Sequence, residues 1–468
     1  MNDQPLASSR YLEGNFGPVS DERDDAALTV IGAIPAELEG TFVRNGPNPQ
    51  FAPRVRYHWF AGDGMLHAVE LRGGRARYRN RFVRTEGFER ERAAARALWK
   101  CDLGMPDFDN EHGPTRGNTA NTALVFHHQK LLALWEAGPP HEIKLPSLET
   151  AGLYTFGGAI NEPFTAHPKV DPRTGELLFF GYSLVGEPHL RYGEARPDGT
   201  VSFVRDIPLE KGTMIHDFVI TERFAVIGVF PFPFELALAM QGQNPFVFRP
   251  ELPTRWAVIE RGSPTGAIRW IESDACYAYH FANAFERGAD IVIDGCRLPR
   301  ASVDFDNEIG ADDNLGAMHR WELRGDETVS ERRIDESGCE FPKINDERTG
   351  REHRYVYCAR IDRGARLADE ERFGVGWTCF DLARGTSSAH LHGDGVFGGE
   401  GVFVPRAGAR EENDGWLMGF VHNARTGQSE LRIVDARAID REPVARVMLE
   451  RRVPYGFHGL WVPGAGSR

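Results

Sequence analysis

The chain has 468 residues, 41% of them hydrophobic and 26% charged, a balance that excludes intrinsically disordered and fibrous proteins. Its formal net charge of −13 argues against nucleic acid as a partner and against purely electrostatic docking on anionic lipid. No run of 18 apolar residues occurs and MNDQPLASSRYLEG lacks the basic and apolar regions of a signal peptide, so the expectation is a cytoplasmic protein without a transmembrane helix.

In chain order, short apolar runs alternate with turn formers. They are ALTVIGAI (27–34), LHAVEL (66–71), TALVFHH (122–128), KLLALW (130–135), ELLFFGYS (176–183) and FAVIGVF (224–230). RWAVIE (255–260), DIVIDGC (290–296), RYVYCA (354–359), WLMGFVH (416–422) and ELRIVDA (430–436) follow. Each is rich in β-branched or aromatic residues, and punctuation such as DPRTG (171–175) and RTGQ (425–428) separates them. Many short strands at near-regular spacing predict an all-β fold. At roughly 40–65 residues per blade, a β-propeller of this length holds about seven blades.

Helix is expected in two places only. FERERAAARALWK (88–100) collects good helix formers, and PFPFELALAMQG (231–242) has proline before a Leu/Ala/Met run. Both read as insertions on a β scaffold. No linker with a composition shift appears, so a single domain, 1–468, is expected, with cap insertions near 85–115 and 230–250. The six cysteines include no C-x-x-C pair, which points to reduced thiols rather than a thiolate zinc site or a disulfide framework.

Four histidines stand in polar-poor, strand-like segments: His167 in PFTAHPKVDP, His216 in GTMIHDFVIT, His280 in CYAYHFANAFE and His458 in PYGFHGLWV. They are too far apart in sequence for a helical H-x-x-x-H site. Their spacing suits a radial fold that brings one ligand from each of several blades to its axis. Taken alone, each one reads by default as a core histidine satisfied by hydrogen bonds. Neutral imidazole suits iron, copper, nickel or zinc, and such a shell calls for carboxylates behind it to accept the other ring N–H.

These segments resemble the carotenoid cleavage oxygenase family of non-haem iron enzymes, in family order and over nearly the whole chain. The resemblance runs through YLEGNFGPV (11–19), GTFVRNGPNP (40–49), HWFAGDGMLHAV (58–69) and RGNTANTALVFHHQKLLALWEAG (116–138). TAHPKVDPRTGELLFFGYS (165–183), MIHDFVIT (214–221), HFANAFE (280–286), EFPKIND (340–346), GEGVFVPR (399–406) and GFHGLW (456–461) continue it. It implies a seven-bladed β-propeller, with a loop and helix cap over an axial Fe(II) site. The implied ligands are His167, His216, His280 and His458, backed by Glu136, Glu340 and Glu400. Thr122 would stand beside an open coordination position. Ala61 departs from the family's usual aspartate in AGDG (61–64), in a turn rather than at the metal. Segment 301–335 matches no family motif and reads as an acidic surface loop followed by a strand.

The implied reaction is cleavage of a carbon–carbon double bond by molecular oxygen in a carotenoid or apocarotenoid, with aldehyde or ketone products. Phe60, Trp135, Phe164, Tyr279 and Phe281, near the motifs, are candidates for lining a tunnel for this lipophilic polyene, though core packing is their default role. A stilbene-cleaving relative would use a lysine and a tyrosine on the ring hydroxyl. Trp135 stands where that lysine would fall, and no tyrosine lies between Tyr78 and Tyr154. A non-catalytic carotenoid-binding propeller and a calcium-dependent propeller hydrolase are the remaining alternatives. The second would want oxygen ligands where the motifs offer imidazoles.

Segment 230–248, FPFPFELALAMQGQNPFVF, carries one charge, Glu235. Phe230, Phe232, Phe234, Leu236, Leu238, Met240, Phe246 and Phe248 would form either a buried helix and loop or a hydrophobic patch that touches a membrane surface. The resemblance favours peripheral membrane association, with Leu98 and Trp99 extending the patch.

Overall fold

The computed structural model describes residues 9–54, 57–100, 110–113, 115–241, 243–301, 315–362 and 374–464. Cys101 and most of the acidic stretch in 301–335 lie outside the described residues. Within them the protein is all β, organised as six antiparallel sheets. Three sheets are four-stranded meanders of consecutive strands, running through 123–153, 169–207 and 219–273. Short connections make sequence neighbours into sheet neighbours.

Sequence pattern explains each strand's place. Arg75–Phe82 alternates, with Ala76, Tyr78, Asn80 and Phe82 buried and its arginines turned outward. Gly415–Asn423 is buried almost throughout, as its continuous apolar run requires. The last described strand, Gly459–Pro463, pairs with Gly40–Pro47, and Thr29–Gly32 pairs with Ala445–Met448. Both ends of the chain are thus woven into shared sheets.

The sheets do not separate into seven. Val329–Lys343, 15 residues long, pairs first with Ala317–Leu323 and then with Tyr355–Ile361. One strand serving two ladders in succession fuses them into a single seven-stranded sheet.

Aromatic residues fill the space between sheets. Phe230, Trp256, Phe281 and Trp321 meet at ring separations of about 6 Å. Phe164 stacks on Phe179 at 4.9 Å in another cluster. Phe164 and Phe281, expected in a tunnel wall, are buried: Phe164 bridges Gly138 and stacks on Phe179, while Phe281 packs on Trp256 and Trp321 and also lines a cavity. Phe230 and Phe232 are likewise buried against Tyr277, which removes them from the expected membrane patch.

The helices are shorter than their composition suggests. Glu86–Ala94 starts where the Thr85 hydroxyl accepts the Phe88 N–H at 3.2 Å and ends at left-handed Ala95. Beyond it the chain folds back, and the Leu98 N–H donates to Glu91 at 2.8 Å. Leu98 and Trp99 are buried there and extend no surface patch. Arg116, paired with Asp63 and with Glu91 at 3.1 Å, anchors this turn to the strands. The second helix spans only Leu236–Met240, because Pro233 and Phe234 make β-bridges to Thr213 and Phe246.

Burial pushes the His141 and His422 rings down to about 4, with Arg452 adding to the effect at His422. The unfolded chain, with ordinary histidine values near 6.5, binds more protons between these limits, so stability rises with pH across that window. The unfolding free energy from urea titration is expected to fall as pH drops from about 6.5 to about 4, by on the order of 3 kcal/mol per ring. His422→Gln flattens part of that slope, and a slope unchanged in His422→Gln would contradict the assignment.

Candidate metal centre

Each of the four histidines sits where regular pairing is interrupted or absent. His167 precedes Pro168, and its N–H donates to the Thr165 hydroxyl at 2.8 Å. His216 lies in an extended segment held by buried Ile215 and Phe218. His280 falls in the Tyr277–Arg287 strand where the register shifts between Ala278 and Phe281. A bulge of this kind re-aims a side chain that strict alternation would send elsewhere.

His458 is fixed by backbone contacts on two sides. Its carbonyl accepts the Asn45 N–H at 3.0 Å, and its own N–H reaches the Thr122 carbonyl at 3.4 Å. The Asn45 side chain ties this crossing to the carbonyls of Ala120 and Ala123. A Cβ on Gly46 would stand 2.6 Å from the Gly456 Cα, so the two strands approach this closely only as glycines.

The Nε2 atoms converge. Neighbouring pairs, His167 to His216, His216 to His280 and His280 to His458, are each 3.1 Å apart. Behind three rings, Nδ1 meets a carboxylate: His216 on Glu136, His280 on Glu340 at 2.6 Å and His458 on Glu400 at 2.9 Å. An Nδ1–H donated to a carboxylate leaves Nε2 as a bare lone pair. Lone pairs facing one another at 3.1 Å repel. A cation bound at about 2.1 Å to nitrogens set at right angles requires about 3 Å between them. The donor set therefore fits a metal ion.

Burial keeps two of these rings free of protons. It pushes His458 to about 4 against the pull of Glu400, and holds His167 well below the usual range, with the other rings adding to the effect. At His216 burial acts the same way, but Glu136 overcomes it and the value is raised. Glu400, although burial opposes its charge, is held down to about 2 by Lys343, His458 and the Gly459 N–H.

The carboxylates are themselves held. The Tyr182 hydroxyl donates to Glu136 at 2.6 Å. The Phe341 N–H donates to Glu340 at 2.5 Å, from a residue in the left-handed region at φ 54°. Gly459 N–H donates to Glu400 at 2.6 Å. Asp217 links three ligand segments: it follows His216, pairs with Lys169 at 2.7 Å and accepts the Phe281 N–H at 2.9 Å. Tyr182, Asp217, Phe341 and Lys343 escape a reading of the sequence; only Asp217 and Lys343, as charges inside apolar motifs, carried a signal.

Aromatic rings lie beside the histidines. Phe341 stacks on His280 at 5.3 Å, and Tyr279 is edge-on to His216 at 5.7 Å. Phe457 contacts Phe60 at 5.5 Å and Trp59 at 4.5 Å. Trp135 is half-buried at the end of Lys130–Trp135, and the Thr122 hydroxyl donates to Asn121 at 3.0 Å. A cavity of about 240 Å³, lined by His167, His458, Lys169, Lys343, Asn283 and Asp346 among others, also reaches the centre.

The family model described as retinal pigment epithelial membrane protein matches residues 16–463. The chain is 36% identical to carotenoid 9,10(9',10')-cleavage dioxygenase 1 of Pisum sativum, over 97% of this chain and 90% of that protein. The chain belongs to the carotenoid cleavage oxygenase family. Among solved structures this oxygenase resembles Pseudomonas brassicacearum lignostilbene dioxygenase, with TM-score 0.92 and 29% identity over 98% of this chain and 100% of that one. It also resembles cobalt-substituted Synechocystis apocarotenoid oxygenase, with TM-score 0.84 and 29% identity over 96% and 97%.

Titrating the metal-free oxygenase with a divalent cation is expected to show a tight site that depends on the four histidines. His280→Ala abolishes stoichiometric binding. Glu340→Gln or Glu400→Gln weakens it about 10- to 100-fold, measured by competition with a chelator.

Proposed function

We propose that the protein is a non-haem Fe(II) dioxygenase that cleaves one carbon–carbon double bond of a carotenoid or apocarotenoid. Molecular oxygen supplies both carbonyl oxygens, so one alkene gives two aldehydes or an aldehyde and a ketone. The observation that carries this reading is the convergence of four Nε2 donors backed by three carboxylates. A ferrous ion there would supply a site for dioxygen and electrons to activate it, with His167, His216, His280 and His458 as its ligands.

This chain's own residues hold and position. Glu136, Glu340 and Glu400 keep the protons of His216, His280 and His458 on Nδ1 and offset the metal's charge. Thr122, whose carbonyl accepts the His458 N–H, would stand beside an open coordination position in this reading. Phe60, Trp59, Phe457, Phe341 and Tyr279 present aromatic faces suited to a flat, apolar polyene and unsuited to water. No acid or base from the protein is needed for the scission.

The fold proposed is a seven-bladed propeller. In it, the seven-stranded sheet counts as two blades sharing Val329–Lys343, and the segments around 59–61, 86–94 and 236–240 form the cap. The same support reads against a pure carotenoid-binding role, since such a role has no use for a metal-ready donor set. The likeness to a lignostilbene dioxygenase keeps a stilbene as the second reading, and Trp135 in place of a lysine weighs against it.

Leu236 and Met240, 51% and 82% exposed, with partly exposed Phe234, Leu238, Phe246 and Phe248, form the patch proposed to rest on a membrane surface. No helix among the described residues is long and apolar enough to cross a membrane.

Anaerobic reconstitution with Fe(II), followed by a panel of apocarotenoids, carotenoids and stilbenes under labelled oxygen, tests the chemistry. Labelled aldehydes from polyenes are expected, with turnover lost in His280→Ala. Stilbene cleavage alone would select the second reading. Cosedimentation with neutral phosphatidylcholine vesicles is expected to be insensitive to salt and weakened by Leu236→Asp or Met240→Glu. Binding that vanishes in high salt would reject the hydrophobic patch.

A further inference from the structure

The three carboxylates behind the histidines are not equivalent. Glu136 accepts from a neutral hydroxyl, that of Tyr182, and Glu340 takes the backbone N–H of Phe341 on the oxygen that meets His280, its other oxygen being buried with no hydrogen-bond partner among the described residues. Glu400 has a cation: the Lys343 ammonium lies 3.3 Å from Oε1, the same oxygen that takes the His458 Nδ1–H at 2.9 Å. One carboxylate oxygen is thus shared between a lysine and a candidate ligand.

We infer that Lys343 sets the charge of the metal centre, acting on the ion through Glu400 and His458. It is a positioning residue in the electrostatic sense, touching neither metal nor substrate. The inference rests on the four histidines holding a divalent cation. With four neutral rings, such an ion and three carboxylates leave one negative charge, which Lys343 cancels. The nearby Lys169 cannot do so, since it is paired with Asp217 at 2.7 Å. Asp346 also faces Lys343 from the cavity, and burial around its carboxyl disfavours the charge with which it would compete with Glu400.

Lys343 does not hold Glu400 in place by itself. The Gly459 N–H at 2.6 Å and the His458 ring remain when the ammonium is gone. Removing Lys343 therefore changes charge more than shape. Glu400 then pulls harder on the His458 Nδ1–H, the ring becomes a stronger donor, and the positive end of the centre loses a competing cation. Two consequences follow: a divalent ion binds more tightly, and the ferric state gains on the ferrous one. The wild-type lysine gives up metal affinity to hold the ion in its +2 state, in a centre without net charge facing an apolar substrate.

The test compares wild type, Lys343→Met and Lys343→Arg, each metal-free and checked for an unchanged melting temperature. Co(II) is titrated in competition with a chelator. The Co(II) dissociation constant is expected to fall about tenfold in Lys343→Met and to stay near wild type in Lys343→Arg. On iron-loaded protein, a redox titration followed by the ferric magnetic resonance signal is expected to show a lower midpoint potential in Lys343→Met alone. Equal or weaker Co(II) binding in Lys343→Met, with wild type binding one equivalent, would overturn the role of Lys343 and leave the metal centre standing. Wild type that binds no Co(II) would overturn both. Should Lys343→Met melt early, Lys343→Gln serves in its place under the same two outcomes.

Discussion

Four imidazole lone pairs aimed at one point are the constraint on which the rest of the structure depends. Without a cation they repel, and without carboxylates behind them they would be free to rotate away or to take protons. Glu136, Glu340 and Glu400 each remove that freedom by claiming an Nδ1–H. Burial does the remaining work, since a charged imidazolium is costly in so dry a setting. Fold stability and readiness for metal therefore draw on the same contacts.

The sheets serve this convergence by breaking their own regularity. His280 stands at a register shift, Glu136 follows one in Lys130–Trp135, and Glu340 begins another in Val329–Lys343. Regular ladders would send alternate residues to opposite faces, toward neighbouring sheets rather than the centre. Asp217 then fastens three of the segments together, so the ligands are fixed relative to one another as well as to their own strands.

Two different environments meet at the histidines. Phe341 packs on His280 and His458, and Trp59 and Phe60 pack on each other and on Phe457, which precedes His458 in the chain, while the cavity that reaches His167 and His458 carries Lys169, Lys343 and Asp346. The rest of the cavity wall is mixed, with Val219, Ile220, Phe281 and Ile344 among its apolar side chains. The ion pairs that Lys169 and Lys343 make with Asp217 and Glu400 bring charge close to the rings without placing it among the aromatics.

The sequence by itself determined the all-β class, through short β-branched runs between turns. The four histidines and three glutamates were marked by the resemblance of their motifs to the carotenoid cleavage oxygenase family; the apolar settings of Glu136 and Glu340 call for a partner without naming it. Tertiary structure alone decided which aromatics border the centre. Phe164 and Phe281 sit in the same motifs as the ligands, but both side chains are buried among other aromatics, whereas Phe341 gains its place from a left-handed backbone that composition does not announce. It also decided that Phe230 and Phe232 are core while Leu236 and Met240 are surface, since a single apolar run holds both a buried strand end and an exposed helical turn. Lys343, Tyr182 and Asp217 gain their partners only when segments distant in sequence close around the histidines, and no local pattern records a contact of that kind.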